Sequence, residues 1–343
     1  MKKSVRRPLL AAVVIIAALC VAAGVFWMRQ NARAVAVPGS LYVPTGATYQ
    51  TLLDSLGADG HRLVDVGTFR KAARLAGLEK SVRPGRYLLK EGMSYRAVAR
   101  MLRNGLQTPV RLTFNNIRTV DRLAGSLARQ IEADSVELLR LFSDPKFTAE
   151  YGFTPETFIC MFIPNTYEVY WNTMPEALCG RMKKEYGAFW NAERLGKAAT
   201  IPLTPLEVSI LASIVYEETK MSDEMPKVAG VYINRLRIKM PLQADPTVKF
   251  AVGNPTIKRV LNRHLEVDSP YNTYRRQGLP PGPICMPSIR ALDAVLNYAH
   301  HDYLYFCAAS DFSGYHRFAK TLAEHSRNAA EYAAALNRAG IRR

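Results

Sequence analysis

The sequence predicts an α+β protein: a single N-terminal transmembrane helix, then a small βααβ subdomain, then a larger α+β domain. Three observations carry this prediction. An uncharged apolar run at residues 9–28 follows a basic start. The rest of the chain alternates two kinds of run. Some place apolar residues at helical spacing behind a Ser or Thr cap, and others are short, β-rich and bounded by Gly and Pro. Near the end, the β-rich runs 303–306 and 315–318 flank a polar turn, as the arms of a hairpin do.

Twenty apolar residues are enough to cross a bilayer once. Lys2, Lys3, Arg6 and Arg7 lie ahead of them and place the N-terminus in the cytoplasm. The chain after Arg29 is then expected on the outer side of the cytoplasmic (inner) membrane. A cleaved signal peptide, with Ala32-Arg33-Ala34 as its site, is the rival reading, but its apolar stretch is normally shorter than this one. Residues 1–30 are therefore expected to be a single-pass anchor.

A hydrophobic content of 48% with 22% charged residues is that of a packed globular protein, and the length after the anchor suits two domains. The formal net charge is +17. Nucleic acid is the first partner such a charge brings to mind. The anchor argues against it, and Lys and Arg are scattered without a long basic run, so no nucleic-acid partner is expected. Attraction to an anionic envelope, whether lipid headgroups or wall polymer, fits better, with plain solubility as the alternative. The five cysteines form no C-x-x-C pair and the six histidines no H-E-x-x-H motif. Buried free thiols are expected, and no metal or other cofactor.

Within residues 40–110, Leu41-Tyr42-Val43 reads as a strand, Thr48 caps a helix through Leu56, and a second helix covers 68–76 before Gly77. A turn at Pro84-Gly85 then leads into a strand ending at Leu89. This strand-helix-helix-strand order resembles a LysM-type glycan-binding module. Contact with glycan and a purely structural role are both open. Gly46-Ala47-Thr48-Tyr49 and Gly92-Met93-Ser94-Tyr95 repeat one turn-plus-cap pattern, each leading into a helix.

Residues 111–200 read as a connecting part. A strand covers 110–114, Thr119 and Ser135 cap two helices, and Asp144-Pro145 is expected to break the second. The aromatic run 162–171 is expected as core rather than sugar platform. An amphipathic helix follows over 174–190, and 198–203 reads as a linker.

The catalytic core is expected in 201–343. Thr204-Pro205-Leu206-Glu207 is a capping box with proline at the first helical position. The helix it opens carries Leu206, Ile210, Leu211, Ile214 and Val215, then meets Glu217 and Glu218. Glu218 follows Leu211 by seven residues and Ile214 by four, so it falls within the apolar stripe, with Glu217 at its edge. Desolvation of such a carboxyl raises its pKa, which suits a general acid. The alternative is a structural ion pair with Arg235 or Arg237. A second helix carries Val228, Val231, Tyr232 and Leu236 on one face. The polar turn 241–247 and the Pro- and Gly-rich segment 278–284 are expected to line a site. No G-x-S-x-G or Cys-His signature is present, which favours sugar-cleft chemistry over a nucleophile triad.

Several long motifs occur in order: Ala212-Ser-Ile-Val-Tyr-Glu-Glu-Thr219, Lys227-Val-Ala-Gly-Val-Tyr-Ile-Asn-Arg-Leu236, Leu242-Gln-Ala-Asp-Pro-Thr-Val248, Ser269-Pro-Tyr-Asn-Thr-Tyr274 and Gly278-Leu-Pro-Pro-Gly-Pro-Ile284. Together with the anchor they resemble the YceG/MltG family of membrane-anchored endolytic murein transglycosylases. The resemblance implies a carbon–oxygen lyase that cuts the MurNAc–GlcNAc bond without water and leaves 1,6-anhydroMurNAc ends. It implies one glutamate acting as acid and then base, at the position matched by Glu218. Many members carry another Glu where this chain has Tyr216, and often a Glu near Cys160 and an Asp at Asn165. Gln243, Asp245, Thr247, Asn272 and Tyr274 are expected as sugar contacts or orienters of Glu218, with turn capping as the alternative. Expected partners are peptidoglycan strands, the inner membrane and peptidoglycan synthases, with glycan strand length as what is limited. Two other readings stand beside it: a hydrolase using Glu218, Asp245 and a water, and a wall-binding scaffold without catalysis.

Overall fold

In a computed structural model the structure describes residues 6–57, 62–254, 257 and 260–340; Lys2 and Lys3 of the basic start lie outside them. Two compact units emerge. The first runs to Leu112 and adds Gln130–Glu132 and Tyr167–Thr173; the second comprises Thr113–Arg129, Ala133–Thr166 and the chain from Met174 onward. The parts read from sequence as connecting and catalytic thus fall largely in one unit.

The first unit opens with α1 (Arg6–Asn31), and its window from Leu9 is long and apolar enough to cross a membrane. Then come β1 (Gly39–Val43), α2 (Tyr49–Gly57), α3 (Val66–Ala76), β2 (Gly85–Leu89) and α4 (Tyr95–Asn104). The βααβ order is as read from sequence. β1 and β2 pair antiparallel with Leu41 opposite Tyr87 and Gly39 opposite Leu89, and their alternate residues turn inward. Leu41, Val43, Tyr87 and Leu89 are buried there against Leu52, Phe69 and Val98. α3 begins two residues earlier than the 68–76 read from sequence, and Asp65 caps it, accepting from the Gly67 and Thr68 amides at 2.9 and 3.0 Å. Gly46 and Gly92, which open the repeated turn-plus-cap pattern, both take φ near +80°, a backbone region closed to most side chains.

β3 (Val110–Phe114) pairs with β4 (Asn165–Val169). Between them lie α5 (Val120–Ala128), α6 (Ser135–Phe142) and α7 (Pro145–Glu150). Asp144-Pro145 does not merely break α6. The Asp144 side chain caps the Lys146 amide, and Pro145, locked at helical φ, starts α7. The aromatic run is core: Phe142, Phe158 and Phe162 pack with ring centroids 5.2–5.8 Å apart. Cys160 is buried beside them as a free thiol.

Next come α8 (Pro175–Phe189) and α9 (Ala192–Thr200). α9, capped by Asn191 Oδ1 on the Arg194 amide, takes in the start of the stretch read as a linker. The centre of the second unit is α10 (Pro205–Glu218). Its capping box is formed, with the Thr204 amide donating to Glu207 Oε2 at 2.7 Å and the Glu207 amide to Thr204 Oγ1 at 3.3 Å. Every residue from Val208 to Val215 is buried. The helix is therefore enclosed on all sides rather than lying on a surface with one apolar stripe. Each of Val208, Leu211, Ile214 and Val215 contributes about 1.5–3 kcal/mol by burial. Around α10 pack α11 (Met225–Arg237), α12 (Asp245–Val252) and α14 (Ile289–Leu296), with α13 (Asn262–Leu265) beside α12. β5 (Tyr305–Ala308) and β6 (His316–Ala319) form the expected antiparallel hairpin, Phe306 opposite Phe318, and α15 (Leu322–Arg338) lies on it.

Candidate active site

Past the enclosed stretch of α10, the two glutamates that end it meet different surroundings. Glu217 accepts a close ion pair from Arg118 and has the Lys220 ammonium at 3.7 Å; its side chain is 13% exposed. It is not the surface residue its place at the stripe's edge predicts. Glu218 has no ion-pair partner among the described residues. Its Oε1 accepts a hydrogen bond of 2.6 Å from the Tyr232 hydroxyl, a buried phenol on α11. Arg235, the cation considered as a partner from sequence, instead donates to the carbonyls of Leu304 at 2.6 Å, Leu242 at 2.8 Å and Pro241 at 3.3 Å. Arg237 bonds the Tyr298 hydroxyl at 2.7 Å.

Glu218 opens on a cavity of about 400 Å³ lined also by Tyr232, Gln243, Asp245, Tyr274 and His316, with the strand β5 along one side. Burial pushes the Glu218 carboxyl up, and the negative Asp245 adds to it. The Tyr232 hydrogen bond and the charges of His316 and Lys249 pull the other way, leaving it at about 7. Such a group is protonated about half the time near neutral pH.

The other residues expected from sequence divide in two. Gln243, Asp245 and Tyr274 reach the cavity. Tyr274 donates to Asp245 Oδ1 at 2.7 Å, which fixes that carboxylate, and burial together with Asp245 raises the phenol well above its ordinary value. Gln243 sits at φ +49°, unusual for a residue with a Cβ. Two bonds hold it there: its amide donates to the Thr273 carbonyl at 3.1 Å and the Ala244 amide to Thr273 Oγ1 at 3.0 Å. Thr247 and Asn272 do not line the cavity. Both are fully buried. Thr247 donates to the Ala244 carbonyl at 2.7 Å and shares a 2.8 Å bond with Thr273. Asn272 donates to the Leu265 and Val267 carbonyls at 2.8 Å, and its Oδ1 accepts from the Tyr274 amide at 3.1 Å. They shape the loops that carry Gln243, Asp245 and Tyr274.

The segment 278–284, expected along the site, packs against α10 elsewhere. The Ile284 amide donates to Ser213 Oγ at 3.0 Å, and a Cβ on Gly282 would meet the Glu156 carbonyl oxygen at 2.6 Å. Gly278, Leu279 and Pro280 line a separate apolar hollow.

Sequence reasoning missed three features. Tyr232 was placed only on a packing face; a fully buried phenol needs a hydrogen-bond partner, and that was its signal. His316 faces the cavity while its Nδ1 and backbone amide bond the buried Glu224 carboxylate at 2.8 and 2.7 Å. Burial works against that carboxylate, but the His316 bonds outweigh it and hold it below the usual range. Cys307 was expected as a buried thiol and is a half-buried one in the cavity wall; Cys160, Cys179 and Cys285 are buried and free.

The YceG-like family model matches residues 41–331. An endolytic murein transglycosylase of Bacillus subtilis (strain 168) is 45% identical over 127 residues, 37% of this chain and 34% of that protein. One of Streptococcus pneumoniae serotype 2 is 35% identical over 134 residues, 38% of this chain and 24% of that protein. The matched stretch thus spans about a third and a quarter of these relatives. A crystal structure of a Listeria monocytogenes protein described as yceG-like superposes with a TM-score of 0.55 at 26% identity, covering 85% of this chain and 99% of that one. With the family model matching nearly everything beyond the apolar helix, the chain belongs to the YceG-like family.

Proposed function

We propose that this protein is an endolytic peptidoglycan transglycosylase in which Glu218 is first a general acid and then a general base. The observation that carries this reading is an unpaired carboxyl at about 7, at the head of a cavity and anchored on one oxygen by Tyr232. Neutral Glu218 gives its proton to the oxygen between MurNAc and GlcNAc as the C1–O4 bond breaks. The resulting carboxylate takes the proton from the muramyl C6 hydroxyl as O6 bonds to C1. The proton returns to where it started, no water enters, and a 1,6-anhydro end results. A group whose pKa lies near the working pH serves both halves well. With Tyr232 donating to Oε1, Oε2 carries the moving proton, and the same bond stabilises the carboxylate between the two steps. The naming of the bacterial relatives supports the substrate class. The reading includes the outer side of the cytoplasmic membrane as the place of action, from the basic residues ahead of the apolar run, and work beside peptidoglycan synthases on nascent strands. Glycan contact by the βααβ module belongs to it as well.

A hydrolytic variant has one observation in its favour, a second carboxylate, Asp245, in the same cavity. Purified peptidoglycan digested by the wild type and by Glu218→Gln, followed by mass spectrometry of the products, separates the readings. The proposal expects strand-internal cuts with anhydro ends from the wild type and none from the variant. Ends heavier by one water place the reaction with the hydrolases. Activity retained by the variant removes Glu218 from its role.

A further inference from the structure

The first unit carries a hollow of about 300 Å³ where the last turns of α1 meet α3 and α4. Phe26, Trp27 and Gln30 of α1, Leu75 of α3, and Arg96 and Arg100 of α4 line it. Packing alone leaves three features of it unexplained. Arg96 and Arg100 stand one turn apart, both exposed, and neither has an ion-pair partner among the described residues. The Gln30 side chain is almost wholly enclosed, with the residue 4% exposed, yet its Oε1 accepts no hydrogen bond. Trp27 and Leu75, both large and apolar, are 61% and 70% exposed.

The length of α1 fixes the level of this hollow. From Leu9, a rise of 1.5 Å per residue crosses a hydrocarbon core of about 30 Å by Met28. Residues 26–30 then lie at the headgroup layer, where Trp side chains concentrate. The helix end is also tied to its module. The Ala34 amide donates to the Met93 carbonyl and the Val64 amide to the Ala34 carbonyl, each at 2.8 Å, and Arg33 bridges to Ser94. The hollow therefore belongs to one compact unit that includes the membrane helix.

We propose that this hollow binds an anionic phospholipid whose headgroup carries a hydroxyl, of the phosphatidylglycerol type. The guanidinium groups of Arg96 and Arg100 hold the phosphodiester through charge-assisted hydrogen bonds. The headgroup hydroxyl donates to Gln30 Oε1, the partner that this atom lacks. The start of the acyl chains covers Phe26, Trp27 and Leu75. A choline headgroup has no hydrogen to donate and brings a cation toward the arginine pair. A bound lipid fixes the tilt of the βααβ module on the membrane surface, beyond what a bare helix anchor specifies.

The full chain in detergent, titrated by native mass spectrometry in separate arms with phosphatidylglycerol, phosphatidylcholine and inorganic phosphate, tests this. Phosphatidylglycerol is expected to be retained about tenfold better than phosphatidylcholine, a difference of about 1.4 kcal/mol. The double variant Arg96→Ala/Arg100→Ala loses that preference, and Gln30→Leu, close in size and apolar, weakens it severalfold while circular dichroism stays unchanged. Equal retention of the two lipids overturns the proposal, as does an unchanged double variant. Inorganic phosphate binding as tightly as the lipid reduces the site to a free-phosphate site. An unaffected Gln30→Leu removes the hydroxyl contact and with it the headgroup assignment.

Discussion

Glu217 and Glu218 are neighbours at the end of one enclosed helix, and their surroundings give them opposite work. The region around Glu217 supplies Arg118 and, at 3.7 Å, Lys220. The region around Glu218 supplies a neutral phenol and, across the cavity, another negative group, along with the charges of His316 and Lys249, neither of them in an ion pair with Glu218 among the described residues. An ion pair engages the Glu217 carboxylate. At Glu218 a phenol holds the carboxyl in place while burial keeps a proton within reach. Position on the helix did not separate the two; their partners did.

The largest break in this comparison is Glu218→Gln, which keeps the shape and removes the proton. Glycan cleavage is expected to fall about 10²–10⁴-fold, the usual worth of a general acid, read from initial rates on peptidoglycan. Tyr232→Phe is next. Its hydrogen bond lowers the Glu218 pKa, so its loss raises it. The basic limb of the pH–rate profile is expected to move to higher pH and the rate to fall about tenfold.

Stability carries the same signature with a defined sign. Folded Glu218 sits at about 7 against an ordinary value of 4.5, so the folded state binds the extra proton in that interval. Its contribution is fully present below 4.5 and is lost as pH rises through 7. Thermal melts at pH 5 and pH 8 should show a drop in wild type that Glu218→Gln lacks, on the order of 2 kcal/mol.

Two smaller effects sharpen the contrast between residues that line the cavity and residues that hold it. Asn272→Ala leaves two part-buried carbonyls without donors and is expected to cost about 1–2 kcal/mol in denaturant unfolding, with the anhydro product unchanged. Arg118→Ala strands a largely enclosed Glu217. Because Arg118 is itself 40% exposed, the expected cost is about 1–2 kcal/mol, again without a change of product.

What the sequence made legible was local. The capping box of α10, the βααβ order and the β5–β6 hairpin each rest on residues within a few positions of one another. Two of the missed helices share a cause. In α7 and α12 an Asp-Pro pair was read as a stop or turn, although proline at the first helical turn favours a start as well. In α9 only Ala198 is fully buried and Leu195 is exposed, so no run of large apolar residues marks the helix. The site was legible in its centre and not in its partners. Glu218 stood out as a carboxyl among apolar residues. Arg118 lies 99 positions before Glu217, and His316 lies 92 after Glu224, distances over which a sequence pattern carries no register. Thr247 and Asn272 belonged to the right loops but face inward, since backbone carbonyls rather than the cavity claim their polar groups.

The central claim is that Glu218 titrates near neutrality while its neighbour stays paired. Carboxyl-¹³C glutamate labelling, with the Glu218 resonance assigned as the one missing from Glu218→Gln, measures this directly by NMR across pH 3 to 9. The account predicts a midpoint near 7. A midpoint near the ordinary 4.5 would contradict it, for the carboxyl would then be ionised at neutral pH and hold no proton to give.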